Sequence, residues 1–239
     1  LSLSRFAKFI SIAIVTLLAL SGCSGSYEQY VLRYRLTLTL VVDGKELTGS
    51  VVQALRYSRS PTVLPDERPT QIRVMGQALT LELPNRDEVM LLLFSNRGYE
   101  DDIMGCIYGA FGQTSSISPF PPTEQNAKLL KGSCQFVPER IPMVIHSMNI
   151  LDRNSFEEVD PTNPNDTLGS GVSVKSLTLT LTTELVTTGL RSKMQWLDEQ
   201  TPPANRDIAT YTGIKLIDVR SKLGKVQLGG SEFWIGAFE

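Results

Sequence analysis

The sequence predicts a mainly β protein, an antiparallel β-sandwich or open barrel with a few short helices. Three observations predict it. Apolar residues recur with a period of two in several stretches, turn-forming Gly, Pro, Asn and Asp punctuate them, and stretches of helical period are short. The chain has 239 residues, 41% apolar and 20% charged, which suits one large β domain or two small ones with a sizeable core. Its 23 basic and 25 acidic residues leave a net charge of −2, so it carries no electrostatic footprint for nucleic acid. One histidine excludes most multi-histidine metal sites. No metal and no cofactor is called for.

Taken in order, Tyr30, Leu32, Tyr34, Leu36, Leu38, Leu40 and Val42 fall on one parity and Arg33, Arg35, Thr37 and Thr39 on the other, a long half-buried strand. Asp43 to Glu46 is a turn, and Leu47 to Tyr57 returns as the second arm of a hairpin. Ser58 to Pro69 holds three prolines and reads as a surface loop. Gln71 to Leu83 reads as one alternating strand that reverses at Pro84 to Asp87 into a second hairpin. Val89 to Phe94, continuously apolar, suits a strand buried on both faces. Residues 96–138, with Gly98, Gly105, Gly109 and Gly112, a Ser/Pro-rich run from Ser115 to Pro122 and a short helix near Thr123 to Leu130, read as an irregular insert. Within it Glu100-Asp101-Asp102 suits a helix start better than a site.

Met143 to Ile150 is the next strand, and Asp152 to Gly171 reads as a polar loop. Ser176 to Thr182 alternates again. Gly189 to Leu197 reads as one or two helical turns, and Ile214 to Val219, Lys225 to Leu228 and Glu232 to Phe238 are final strand candidates. The segment Leu36-Thr-Leu-Thr-Leu40 recurs as Leu177-Thr-Leu-Thr-Leu181; alternating Leu and Thr is what an amphipathic strand tends towards, and an old duplication is the alternative.

The amino terminus has the three parts of a secretory signal: Arg5 and Lys8, an apolar run from Phe9 to Leu20, then Ser21-Gly22-Cys23. The run is 12 residues long, short of the roughly 20 that cross a bilayer as a helix. The quartet Leu20-Ser21-Gly22-Cys23 resembles the lipobox of bacterial lipoproteins. That resemblance implies cleavage between Gly22 and Cys23 and a diacylglyceryl thioether on Cys23, with further acylation (palmitate or a similar chain) of its amino group. Residues 1–22 are then the signal peptide, 23–29 a lipidated tether, and 30–239 a single mainly β domain. Removing residues 1–22 leaves 217 residues and takes 23 basic residues to 21 against 25 acidic ones, a net charge of −4. Membrane lipid is the expected partner through Cys23, with an envelope protein as a further one. Ser24 is compatible with export to an outer membrane, facing the periplasm.

With Cys23 assigned to lipid, Cys106 and Cys134 remain. In an oxidising compartment they suit a disulfide; two separate buried thiols is the alternative reading. No CxxC motif occurs. His146, on the parity of Val144 and Met148, is the one residue on which a general-base hydrolase could be built, against a partly buried histidine satisfied by a hydrogen bond. The oxygen-rich loop from Glu157 to Asp166 lacks calcium-loop spacing and reads as a solvated turn. Phe111, Phe120, Trp196, Phe233, Trp234 and Phe238 sit near expected loops and edges, where they either pack or line a cleft.

Several further stretches are similar to an uncharacterised family of proteobacterial envelope lipoproteins: Arg33-Tyr34-Arg35-Leu36-Thr37, Gly76-Gln77-Ala78, Ile141 through Asp160-Pro161 to Val172, Thr187-Thr188-Gly189 and Trp196-Leu197. The resemblance implies a lipid-anchored envelope protein with this fold and assigns no activity. The expected function is a binding or scaffolding module, with an envelope hydrolase using His146 as the alternative; no catalytic residue is assigned.

Overall fold

In the computed structural model the described residues are 28–59, 70–85, 87–93, 98–110, 132–152, 154–195, 217–221, 224–228 and 234–235. The chain divides into two compact units, residues 1–29 with 57–71, and residues 30–56 with 72–239. Of the first, the described residues are strand ends. The signal peptide, Gly22 and Cys23 at its cleavage site, the run Ser115 to Pro122, the helix expected near Thr123 to Leu130, and Trp196 lie outside the described residues.

The second unit is a β-sandwich, two mainly antiparallel sheets packed together without closing into a barrel. Strands β1 (Glu28–Val42) and β2 (Lys45–Arg59) form the opening hairpin. Its turn, Asp43-Gly44, holds both residues in the left-handed region, with φ of 49° and 76°, the geometry that Asp-Gly supplies and that matches strand twist. Strands β3 (Thr70–Gln77), β6 (Ser133–Gln135), β9 (Val172–Leu181) and β12 (Trp234–Ile235) complete the first sheet, in the order β12-β3-β2-β1-β9-β6. The second sheet runs β11-β10-β8-β7-β5-β4. Its strands are β4 (Leu79–Glu82), β5 (Glu88–Leu91), β7 (Val144–Ser147), β8 (Phe156–Val159), β10 (Ile217–Ser221) and β11 (Gly224–Leu228). β8 and β10 pair in parallel. All three strands expected after residue 213 are found.

The two Leu-Thr-Leu-Thr-Leu segments are neighbours. β1 and β9 pair antiparallel, with Leu36 opposite Leu179, Thr37 opposite Thr178 and Leu38 opposite Leu177. Leu36, Leu38, Leu177 and Leu179 are fully buried and their threonines face the other way, as a period of two requires. Each such leucine contributes about 1.5–3 kcal/mol by leaving water. The sheets approach closely at Gly49 of β2, where a Cβ would stand 3.0 Å from the Thr80 carbonyl oxygen and 3.3 Å from Leu81 Cβ of β4.

Sheet two has a second apolar face. Met90, Ile145 and Phe156 on it form one cluster with Ala78, Leu92, Met143, Leu190 and Met194. Leu190 opens a short helix, α3 (Leu190–Lys193), inside the Gly189 to Leu197 stretch that suggested helical turns. Val89, Met90, Leu91 and Leu92 are all buried, in keeping with a strand covered on both faces.

Three elements depart from the sequence reading. The stretch Gln71 to Leu83 is two strands in different sheets. β3 is in sheet one and β4 pairs with β5 in sheet two, and the chain changes sheets through Gly76, whose φ is +133°, and the fully buried Ala78. Alternation reads continuously across that corner because β3 and β4 each keep a buried face. The insert 96–138 is not wholly irregular: it opens with a twelve-residue helix, α1 (Tyr99–Ala110). Its Gly105 and Gly109 lower intrinsic helix propensity, but Tyr99, Ile103 and Ile107 at spacing four form a buried stripe. Glu100, Asp101 and Asp102 occupy its first turn, where the dipole favours them. The polar loop Asp152 to Gly171 contains β8 and the short helix α2 (Asn165–Leu168). β8 has only Phe156 and Val159 as apolar residues, and both are 1% exposed.

Candidate functional site

The site that the sequence singles out is built around His146 on β7. Opposite it on β5 is Val89, and just before β5 the turn from Leu83 to Asp87 folds on itself. Asn85 Oδ1 accepts from the Asp87 backbone N–H at 3.1 Å, and Leu83 N–H donates to the Asp87 carbonyl at 2.8 Å. Asn85 Nδ2 donates to Asp87 Oδ2 at 2.6 Å, and His146 Nε2 meets the same oxygen at 3.0 Å. A carboxylate partner places the imidazole proton on Nε2. His146 is 7% exposed. The turn chemistry of Pro84-Asn85 therefore aims a carboxylate at a buried imidazole.

An imidazole paired with an acid is two parts of a general-base device. Among the described residues the third part does not assemble. Among the described residues no hydroxyl or thiol is hydrogen-bonded to His146. Ser147, next in the chain, projects from the opposite face and its Oγ is engaged by Ser155 Oγ at 2.7 Å and by the Asn149 N–H at 3.1 Å.

Those bonds belong to the loop between β7 and β8, which is heavily cross-tied. Ser155 Oγ also reaches the carbonyls of Asn149 and Asp152, both at 2.8 Å; Asn149 Oδ1 accepts from Leu151 N–H, and Asp152 Oδ1 from Asn154 N–H. Ile150 packs back onto the cluster of sheet two, whereas Met148 and Leu151 are 67% and 64% exposed. Two large apolar side chains are thus held out on a short, pre-organised loop. Next to it, Glu88 opposes Ser147. Its Oε1 is 4.0 Å from Lys193 Nζ, and its buried Oε2 has no hydrogen-bond partner among the described residues.

Deeper in the fold a polar network ties five elements. Gln53 Oε1 accepts from Tyr34 at 2.9 Å and Tyr99 at 2.6 Å, Gln53 Nε2 donates to the Gln77 carbonyl at 2.8 Å, and Gln77 Oε1 accepts from the Leu190 N–H at 2.9 Å. β1, β2, β3, α1 and α3 meet there. Burial pushes the Tyr99 phenol well above its ordinary value, the hydrogen bonds with Tyr34 and Gln53 offsetting part of this and Glu100 and Asp102 adding to it. Every donor and acceptor used is matched, as a buried network requires. It is a structural clamp.

The remaining candidates are placed as follows. Cys106 of α1 and Cys134 of β6 are joined in a disulfide, with Cα atoms 5.8 Å apart. In the stretch from Glu157 to Asp166, Glu157 and Glu158 lie in β8 and Asp160 Oδ1 closes a turn onto Thr162. Among the described residues no group of three His, Cys, Asp or Glu side chains could hold a metal ion. Phe111, Phe120, Phe233 and Phe238 lie outside the described residues, and Trp234 is described only as part of β12. Sequence reasoning missed Asp87, taking it as one residue of a turn; the Asn85-to-Asp87 spacing of an Asx turn was the available signal. No protein-family model matches the chain, and no curated protein or solved structure is significantly similar to it.

Proposed function

We propose that this chain is a lipid-anchored cell-envelope protein, held to a membrane by acylated Cys23, whose β-sandwich serves as a binding or scaffolding module on the periplasmic side. Two different features support the two halves of this reading. For the anchor it is the spacing of the sequence: Leu20-Ser21-Gly22-Cys23 stands five residues ahead of Glu28, where β1 begins. Ser24 after the cysteine favours the outer membrane. No helix among the described residues is long and apolar enough to span a bilayer, so the acyl chains would carry the attachment. Two or more chains hold stably where one holds marginally.

For the module the observation that carries it is the closure of His146 on Asp87 at 3.0 Å, with no hydroxyl partner among the described residues. The hydrolase that uses His146 as general base has its acid and, among the described residues, lacks its nucleophile. The loop bearing Met148 and Leu151 suits docking instead, because its hydrogen bonds are already made and little ordering cost remains for a partner to meet. The anchor is tested by labelling cells with an alkynyl fatty acid: label on the wild type and none on Cys23→Ala is expected, and label that survives Cys23→Ala refutes it. The module is tested by placing a photo-crosslinking amino acid at Met148. A discrete crosslinked envelope protein is expected, and its absence alongside a hydrolytic activity abolished by His146→Ala would favour the enzyme.

A further inference from the structure

Sheet one ends at a strand that is open on one side. β6 is the last strand in the order of that sheet, and among the described residues nothing pairs with its far side. Phe136 N–H donates to the Leu177 carbonyl at 2.9 Å, and Leu181 N–H donates to the Gly132 carbonyl at 3.2 Å. Backbone groups alternate in direction along an antiparallel ladder, so Gly132, Cys134 and Phe136 face β9 while Ser133 and Gln135 turn their N–H and C=O groups away from it. Both of these residues are exposed. The edge therefore presents two donors and two acceptors in the spacing of a strand.

Sheets ordinarily blunt an open edge with charge, proline or a covering segment. β4, the last strand of sheet two, follows that rule: it ends in the exposed Glu82, and its Thr80 carbonyl is backed by Gly49 of β2. β6 does not. No charged residue occurs from Gly132 to Val137, and Val137, just past the strand, is 52% exposed. The strand is also fixed in advance, because Cys134 at its centre is bridged to Cys106 of α1. An incoming strand would meet little further ordering cost.

The two faces of the sheet set the chemistry of that strand. Ser133 and Gln135 are level with Thr180 and Thr178 on the outward face, and Cys134 is level with the fully buried Leu179 on the inward one. A guest that continues both faces carries hydroxyl side chains outward and apolar ones inward, with no charge. A second copy of β6 fits less well. Pairing Ser133 of one copy with Gln135 of the other sets the two Cys134 residues opposite each other at a Cα separation of about 4.5 Å. Each would bring its own α1, bridged at a Cα distance of 5.8 Å, to the same point.

We propose that the open edge of β6 binds an extended, uncharged segment of another protein, in which Ser or Thr alternates with Leu or Val, as a seventh strand of sheet one. This rests on the binding-module reading and gives it a second contact, apart from the loop of Met148 and Leu151. The probe is an end-blocked peptide of sequence Ser-Leu-Thr-Leu-Thr-Leu with a fluorophore and a Gly-Lys tail, the pattern that β6 already accepts on its other side as Ser176 to Leu181. It is titrated into the detergent-purified full chain. Saturable binding is expected, with hydrogen exchange slowed several-fold at the Ser133 and Gln135 amides and unchanged at Met148. Gln135→Pro removes an N–H that β9 does not use, which an edge strand tolerates. It should keep the thermal midpoint and weaken binding about tenfold. Should that variant fold poorly, the peptide itself supplies the check: N-methylation of one alternating set of its amides should abolish binding, and of the other set should leave it intact. Absence of saturable binding, or binding that leaves exchange at Ser133 and Gln135 unchanged, overturns the proposal. Protection of those amides that grows with chain concentration and needs no peptide assigns the edge to a second copy and also overturns it. If the peptide fails while a photo-crosslinker at Met148 still captures a discrete envelope protein, the edge proposal falls and the module stands; if both fail, both fall.

Discussion

His146 and Asp87 meet across the end of sheet two, the imidazole Nε2 3.0 Å from a carboxylate oxygen that Asn85 also holds. With the imidazole buried, loss of the acceptor strands a donor out of reach of water. Asp87→Ala is therefore expected to cost about 2 kcal/mol, within the range for hydrogen bonds to charged groups, and Asn85→Ala about half as much. Urea unfolding would show this as a lower midpoint with an unchanged slope. If Asp87→Ala leaves the midpoint in place, the pair is not structural.

The paired leucine and threonine faces of β1 and β9 predict opposite sensitivities. Leu38→Ala and Leu177→Ala, at fully buried positions directly opposite each other, are each expected to cost about 2–5 kcal/mol. Thr178→Ala, on the outward face, should stay within about 1 kcal/mol. Because Leu38 and Leu177 share one contact, the double variant should lose less than the sum of the singles, which a double-mutant cycle measures.

Tyr99 makes stability fall at high pH. Its phenol is raised in the folded protein, chiefly by burial, so the unfolded chain releases that proton first. The contribution is fully present below the ordinary tyrosine pKa of about 10 and is lost as pH rises beyond it. Tyr99→Phe should cost about 1 kcal/mol at neutral pH through its lost hydrogen bond, yet flatten the alkaline decline. Denaturation midpoints at pH 7 and above pH 10 would check both signs.

The bridge between Cys106 and Cys134 closes a loop with a sequence separation of 28. Its removal in the Cys106→Ser, Cys134→Ser double variant is expected to cost roughly 3–4 kcal/mol in the chain-entropy account. Incubating the wild type with a reductant should lower its thermal midpoint to that of the double variant, while leaving the variant unchanged.

Gly76 marks the corner between β3 and β4. An alanine there would meet both a φ of +133° and Gln53 Cγ at 3.1 Å, and is expected to cost about 1–3 kcal/mol as backbone strain. Gly169→Ala serves as the control for backbone alone, since its φ is +90° but nothing lies within 4 Å of a Cβ. The difference between the two, read from thermal midpoints, isolates the crowding against Gln53.

What could be read from residue order was whatever one strand's own periodicity encodes. The hairpin at Asp43-Gly44, the buried run at Val89 and the outward threonines all follow from alternation and turn chemistry within a dozen residues. Partners at a distance were not legible. Phe156 and Val159 sit in so polar a stretch that only their place between β7 and β10 makes them strand residues. Ala78 reads as one more position in an alternating run because a change of sheet preserves the alternation on both sides of the corner. Gln53, Gln77 and Tyr99 give no sign of one another, since amides and phenols match almost any polar group. His146 was legible as a residue of interest, but its acid was not, because a turn explains Asp87 equally well.

The opposition of two identical Leu-Thr-Leu-Thr-Leu segments has a consequence for how the chain finds its fold. Sliding β9 along β1 by two residues would still set leucine against leucine and threonine against threonine, so side-chain patterning alone leaves several alignments nearly degenerate. The alignment must be chosen by something that does not repeat. One candidate is the irregularity after Thr39, where Leu40 pairs with Val174 and Lys175 is left as the extra residue. The other is the backbone bond from Asp43 N–H to the Gly171 carbonyl at 3.1 Å, at a glycine where any Cβ would stand 2.6 Å from Asp43 Oδ1. Together they act as an end stop on a sliding ruler: misaligned pairings are dead ends from which the strands must part before they can fold.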